Sequence, residues 1–329
     1  MQNHWTMMAL SKQPFDLTFH FNMKKTQYIT AIILLSLGIA QGPSTPLFQQ
    51  DKGRDDKGKW VRDHYNYTVG DIDQLEVDIE YVMGELNLDA NMKPKLISGS
   101  IFYYPLWFAP EIEYEERSNR GVLSIRTDQD DNYNFVLSEY KIFKKGFSEF
   151  EDNSLDFSLP TMIPIDLDLD FGMGSANIDF TDLTLSHIQI EGGMGEMNVE
   201  MHRPNPMVCD FLKIDTGLGS FEAEGLGNIN AREVDIEVGM GSAEIDYRGH
   251  FTHDVEIDIE VGMGSLELIL PDNVNVKAKV RHNFLSSIDM DDLIKKGNYY
   301  LTEDWESDRP TVFLDISVGL GSVDIDLRH

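Results

Sequence analysis

The stretch Val234-Asp235-Ile236-Glu237-Val238-Gly239-Met240-Gly241-Ser242-Ala243-Glu244-Ile245-Asp246-Tyr247 contains two alternating runs that are out of phase. Before the glycine motif the apolar residues stand at even numbers, Val234, Ile236, Val238 and Met240; after it they stand at odd numbers, Ala243, Ile245 and Tyr247. Strand side chains alternate between faces with period two, so a one-residue slip turns the second strand inside out unless a bend or bulge absorbs it. The Gly-x-Gly-Ser motif is therefore read as a corner between two arms of one coil. The same slip separates Ile257, Ile259, Val261 and Met263 from Leu266, Leu268 and Leu270.

Seven corners of this kind recur along the chain. They centre on Gly84, Gly172 and Gly174, Gly193 and Gly195, Gly217 and Gly219, Gly239 and Gly241, Gly262 and Gly264, and Gly319 and Gly321. From Gly174 through Gly195, Gly219 and Gly241 to Gly264 the spacing is 21, 24, 22 and 23 residues. A repeat of that length with strand periodicity and no helical periodicity predicts an all-β fold, a β-solenoid of stacked coils. In such a stack a side chain at the corner meets the next coil, and glycine also reaches the positive φ a bulge requires. The residue between the glycines (Met83, Met173, Met194, Leu218, Met240, Met263 or Leu320) is expected to point inward. The first corner, with Val82 in place of the leading glycine, is expected at an end of the stack.

Two stretches interrupt the rhythm and are read as insertions, at about 128–160 and 283–310. One further coil is expected at Val274–Val280, and a short helix within 283–298 on Met290, Leu293 and Ile294. Residues 70–329 form the solenoid, and the polar, proline- and glycine-bearing stretch 41–69 is read as a flexible linker. Residues 1–40 are set apart as an N-terminal extension and signal peptide. Met23-Lys24-Lys25 gives a basic start, Ile29–Ala40 an apolar run, and Gly38-Ile39-Ala40 a small-residue cleavage site. That run is shorter than the roughly 20 apolar residues of a bilayer span. Synthesis is accordingly expected to start at Met23, and the mature chain to be exported to the periplasm or cell surface of a bacterium.

The formal net charge is −30, and removal of Lys12, Lys24, Lys25 and Asp16 with the leader takes it to −32. Such a surface repels nucleic acid and anionic lipid alike, so neither nucleic-acid binding nor direct binding to an anionic membrane is expected. Cys209 is the only cysteine and lies among Met207, Val208, Phe211 and Leu212, the setting of a buried and inert thiol.

The string Lys95-Leu96-Ile97-Ser98-Gly99, then Tyr103-Tyr104-Pro105-Leu106-Trp107 and Pro110-Glu111-Ile112-Glu113-Tyr114-Glu115, resembles the start of the toastrack-type domains of LiaF-like cell-envelope stress proteins. The later Gly-x-Gly-Ser corners and Leu270-Pro271-Asp272 are similar to the same domains and to adhesin-like proteins of the DUF4097 type. The resemblance covers about residues 70–329 and implies a toastrack-like stack at the cell envelope, with no catalytic residues to carry over.

The acidic residues form the most tempting site. Asp166, Asp168, Asp170, Asp235, Glu237, Asp254, Glu256, Asp258, Glu260 and Asp315 are expected to face outward in rows. Calcium-binding repeats place aspartate inside glycine-rich turns, whereas these turns carry methionine and serine, so a solvated face is expected and no metal site or cofactor. A glycosidase or lyase gathers two carboxylates in one groove; here they are spread over every coil, and no enzyme is expected. His250 and His253 lack a third ligand nearby and are read as turn residues. Tyr103, Tyr104, Trp107 and Phe108 are the candidate ligand surface, as a stacking platform for glycan, or else the cap of one end of the stack. The basic residues Lys277, Lys279, Arg281, Lys295 and Lys296 either pair with carboxylates or bind an anionic polymer. Because only two residues follow the run Val323–Leu327, self-association through an uncovered C-terminal coil is expected. The function that follows is an exported, non-catalytic structural or interaction protein of the envelope, in envelope-stress sensing, with a glycan- or surface-binding adhesin module as the alternative.

Overall fold

The two arms of each corner motif turn their apolar residues to one interior. Val234, Ile236 and Val238 are buried on the first arm, and Ala243, Ile245 and Tyr247 on the second. A computed structural model describes residues 59–105, 108, 110–127, 152–282, 286–290 and 292–328, all within the unit Lys52–His329. Its strands, in chain order, are β1 Val61–Thr68, β2 Gln74–Ala90, β3 Leu96–Tyr103, β4 Glu111–Arg117, β5 Arg120–Arg126, β6 Ser154–Leu159, β7 Pro164–Asp179 and β8 Thr184–Glu200. They continue with β9 Cys209–Glu224, β10 Ala231–Asp246, β11 Val255–Pro271, β12 Asn275–His282, β13 Ser286–Asp289, β14 Leu293–Lys296, β15 Tyr299–Thr302 and β16 Thr311–Arg328. These strands belong to one sheet.

The seven corner-bearing strands stack in parallel in the order β2-β7-β8-β9-β10-β11-β16. Their corners are in register, so that Gly84, Gly174, Gly195, Gly219, Gly241, Gly264 and Gly321 form one row. At Gly241 φ is +147°, and a Cβ there would lie 1.7 Å from the carbonyl oxygen of Gly219 on the coil beneath. Both the backbone angle and the stacking distance therefore exclude a side chain.

In the later coils the residue between the glycines does not fill the corner as expected. Met240 is 48% and Met263 43% exposed. Val238 and Ala243 already occupy the interior on either side of the bend, and the bulge carries the middle residue to its outer curve. Met83 alone of the series is buried. There the chain at Asn153 crosses the corner, its carbonyl accepting from the Glu85 N–H at 2.9 Å.

The two ends of the stack depart most from the sequence reading. Strand β16 is not an uncovered last coil. It lies between β11 on one side and β12 and β13 on the other, with Val312–Val318 beside Val276–His282 and Gly321–Asp324 beside Ser286–Asp289. The coil expected at 274–280 thus lies beyond β16, with β15 and β14 further out, and the chain returns to insert its last strand inside it. The short helix expected within 283–298 is replaced by β13 and β14. Strands β14 and β15 form a hairpin closed by Gly297-Asn298, where Gly297 adopts φ +66°. At the other end β5 covers the first arm of β2 and β6 the second. Strand β6 lies in the stretch read as an insertion, whose residues 128–151 fall outside the described residues. Strand β1 occupies 61–68 of the expected linker, because alternating Val61, Tyr65 and Tyr67 pair it antiparallel to β3.

Candidate functional site

The first arm presents a carboxylate ladder to solvent. One row runs Asp78, Asp168, Gln189, Lys213, Asp235, Asp258, Asp315, and the next runs Glu80, Asp170, Glu191, Asp215, Glu237, Glu260, Ser317. Burial is the first reason these groups resist ionisation, and in-register stacking adds to it by placing like charges at the inter-strand spacing of about 4.8 Å. Asp215, only 6% exposed, is pushed up to about 6 by burial first and by Glu237 next, with Lys213 opposing. Burial and neighbouring carboxylates also raise Asp168, Glu237 and Asp258. Lys213 stands at the middle of the first row, and further cations pair with carboxylates at its two ends. Arg126 meets Asp78 at 2.8 Å, while Lys279 and Arg281 meet Asp315 at 3.2 and 3.1 Å. Among the described residues no three His, Cys, Asp or Glu side chains converge as a metal cage.

The second arm carries an open groove of about 630 Å³ whose floor changes character along the stack. At one end its residues form an amide ladder. Asn87 Nδ2 donates to Asp156 at 2.9 Å, Asn177 Nδ2 to Asn87 at 3.0 Å, and Asn198 Nδ2 to Asn177 at 3.1 Å. The next position is Glu222, which as a carboxylate has no proton to give, and Asn198 Oδ1 is left without a protein donor among the described residues. Beyond it the row continues as Glu244 and Glu267.

The aromatic segment, read as a glycan platform or as the cap of one end of the stack, is in part buried. Tyr103 and Phe108 are buried, and the Tyr103 hydroxyl donates to Asp63 at 3.0 Å. Trp60 lies over the remainder, its ring 5.0 Å from Phe102 and 5.5 Å from Tyr104. Strand β3 is sandwiched between β1 and β6, so alternate side chains of the segment must enter the core. Trp107 lies outside the described residues. Cys209 is fully buried, its thiol pushed up to about 12 by burial. The His250 backbone N–H donates to Asn228, and His253 Nδ1 lies 2.7 Å from the Asp254 carbonyl, both in the turn between coils.

The opposite end gathers residues that charge counting left apart. Lys277 Nζ stands 4.7 Å from the ring centre of Tyr299 and 5.7 Å from that of Phe313. Lys295 lies 5.0 Å from the Tyr300 ring and donates to its hydroxyl at 3.2 Å. Tyr299 and Phe313 were not singled out in the sequence. The signal for Tyr299 was the antiparallel hairpin closed by Gly297-Asn298, whereas Phe313 reaches Lys277 through the parallel pairing of β12 with β16.

A family model described as the N-terminal domain of toast_rack, DUF2154, matches residues 50–224. No curated protein matches the chain. Among solved structures, one described as a "putative cell adhesion protein" from Clostridium sporogenes ATCC 15579 is 19% identical over 82% of this chain and 100% of that chain, with a TM-score of 0.42. Another, described as a "putative adhesin" from Bacteroides fragilis NCTC 9343, is 16% identical over 82% of this chain and 98% of that chain, with a TM-score of 0.33.

Proposed function

This chain belongs to the family of the toast_rack N-terminal domain, DUF2154, and from that membership we propose that it is an exported, non-catalytic scaffold of the cell envelope, acting in envelope-stress sensing. The observation that carries the reading is the uniformity of the stack. The residues repeated from coil to coil are accounted for by folding: glycines by the corner, apolar residues by the core, carboxylates by solvation of the two outer faces. A catalytic centre needs a local break in that uniformity where an acid and a base converge. Export is supported by the basic, apolar and small-residue segments ending at Ala40. The glycan reading has less support, since Tyr103 and Phe108 lie in the core.

The test is to express the chain with its own N-terminus in a bacterium, fractionate the cells and sequence the N-terminus. The expected outcome is a protein beginning at Gln41 and absent from the cytoplasm. A cytoplasmic chain that retains residues 23–40 overturns export, and release of reducing ends from a uronic-acid polymer overturns the non-catalytic reading. For stress sensing, deletion of the gene in its own host is expected to shift an envelope-stress reporter. An unchanged response under cell-wall stress overturns that role.

A further inference from the structure

The first-arm sheet has two edges among the described residues. Strand β4 is paired only with β5, and strand β14 only with β15. The edges carry opposite charge. Strand β4 exposes Glu111, Glu113 and Glu115, of which Glu115 is held by Arg117 at 2.7 Å. Strand β14 exposes Lys295 and Lys296, and Lys277 stands two strands inward. No ion pair engages Glu111, Glu113, Lys277, Lys295 or Lys296 among the described residues, whereas Lys279 and Arg281 are paired.

We propose that copies of this chain associate end to end, the β4 edge of one copy docking on the β14 edge of the next. Three features argue for a second copy as the occupant. The first is charge: β4 repels β4 and β14 repels β14, so only the unlike edges attract, and the contact is heterologous. The second is direction. Strand β5 runs parallel to the stack and β4 against it, while β15 runs against the stack and β14 along it. Copies in the same orientation therefore meet with β4 and β14 antiparallel, the more stable ladder.

The third is the stepped form of the ends. Beyond β2 the first arm adds β5 and β4 while the second adds β6, β3 and β1. Beyond β16 the first arm adds β12, β15 and β14 while the second adds only β13. Each end is short on the arm where the other is long, so joining β4 to β14 leaves one strand position, about 4.8 Å, open between β13 and β1. The Tyr67 hydroxyl donates to the Ile112 carbonyl and Glu116 accepts from the Gly70 N–H, so part of β4 is tied to its own copy. The lysines therefore meet chiefly the side chains of Glu111 and Glu113. Copies in the same orientation joined by unlike edges leave one free edge at each end, so the product is a linear array.

The experiment is sedimentation of the full chain from about 1 to about 100 μM, at low salt and at about 0.5 M NaCl. Mass is expected to rise with concentration and to fall with salt. The charge-reversed variants Lys295→Glu/Lys296→Glu and Glu111→Lys/Glu113→Lys are each expected to associate about tenfold more weakly while still unfolding cooperatively, because these side chains are exposed and Lys295 loses only its surface contact with Tyr300. Mixed in equal amounts they are expected to recover association, since reversed β14 edges match reversed β4 edges. A chain monomeric throughout overturns the proposal, as does wild-type association by both variants. Loss of polygalacturonate binding in the lysine variant, with no recovery on mixing, assigns the lysines to an anionic polymer and overturns it as well.

Discussion

At Gly241 a single hydrogen separates a stack from a collision. A Cβ there faces the Gly219 carbonyl oxygen at 1.7 Å, at φ +147°. Backbone cannot yield as a side chain tip does, so Gly241→Ala is expected to cost about 3 kcal/mol or more. Gly239 has its Cβ direction 2.5 Å from the Gly217 carbonyl oxygen but no positive φ, and its alanine variant is expected to cost less. Gly297 has φ +66° and open space, and its alanine variant is expected to cost about 1 kcal/mol from backbone strain alone. Urea unfolding of the three variants checks the order, and a Gly297 variant weaker than the Gly241 variant contradicts the stacking argument. These corners were legible in the sequence because the phase of alternation is fixed on either side of them. The direction of Met240 was not, because a bulge has no defined face and the period-two rule lapses within it.

Among the strands, the place of β16 was hidden by chain order and can be recovered from packing. A corner strand stacks closely only on another corner strand: a Cβ at Gly321 would lie 1.6 Å from the Gly264 carbonyl oxygen. Strand β12 follows β11 in sequence but has no corner, and its second arm is supplied separately by β13. Inserting β16 next to β11 keeps the corner column unbroken and leaves the cornerless pair on its far side. The same split coil occurs at the other end, where β5 and β6 cover β2. Strand β16 is therefore expected to behave as interior sheet although it is the last strand in chain order. In hydrogen exchange the amides of Val318, Leu320, Val323 and Ile325 should be protected as strongly as those of β10. Exchange typical of a fraying terminus at these four positions would contradict the insertion. The β14–β15 hairpin was missed because Met290, Leu293 and Ile294 also fit a helical spacing. Gly297-Asn298, a two-residue loop with a left-handed glycine, was the signal that decides between them.

Over the whole molecule the acidic faces set the response to solvent. The excess of carboxylates and their outward rows were plain in the sequence; the burial of one of them was not, since Asp215 alternates like its exposed neighbours. Its carboxyl has an ordinary value of 3.8 and is raised to about 6 in the fold, so the folded chain holds this proton more tightly than the unfolded chain. The resulting destabilisation is absent below about pH 4, grows as pH rises towards about 6 and is complete above it. Asp168, Glu237 and Asp258 are shifted with the same sign. The melting temperature is thus expected to be about 5 °C higher near pH 5 than near pH 7. Asp215→Asn is expected to raise it at pH 7 and narrow that gap, because the amide has no charge to desolvate. Salt acts on the same repulsion by screening: NaCl from about 0.02 to about 0.5 M should raise the melting temperature at pH 7. Calcium and magnesium at equal ionic strength should then act alike, because carboxylates spread along a ladder attract counterions without enclosing one. A rise produced by calcium and not by magnesium would show that some part of the ladder folds around the ion, and the diffuse picture of the face would fail.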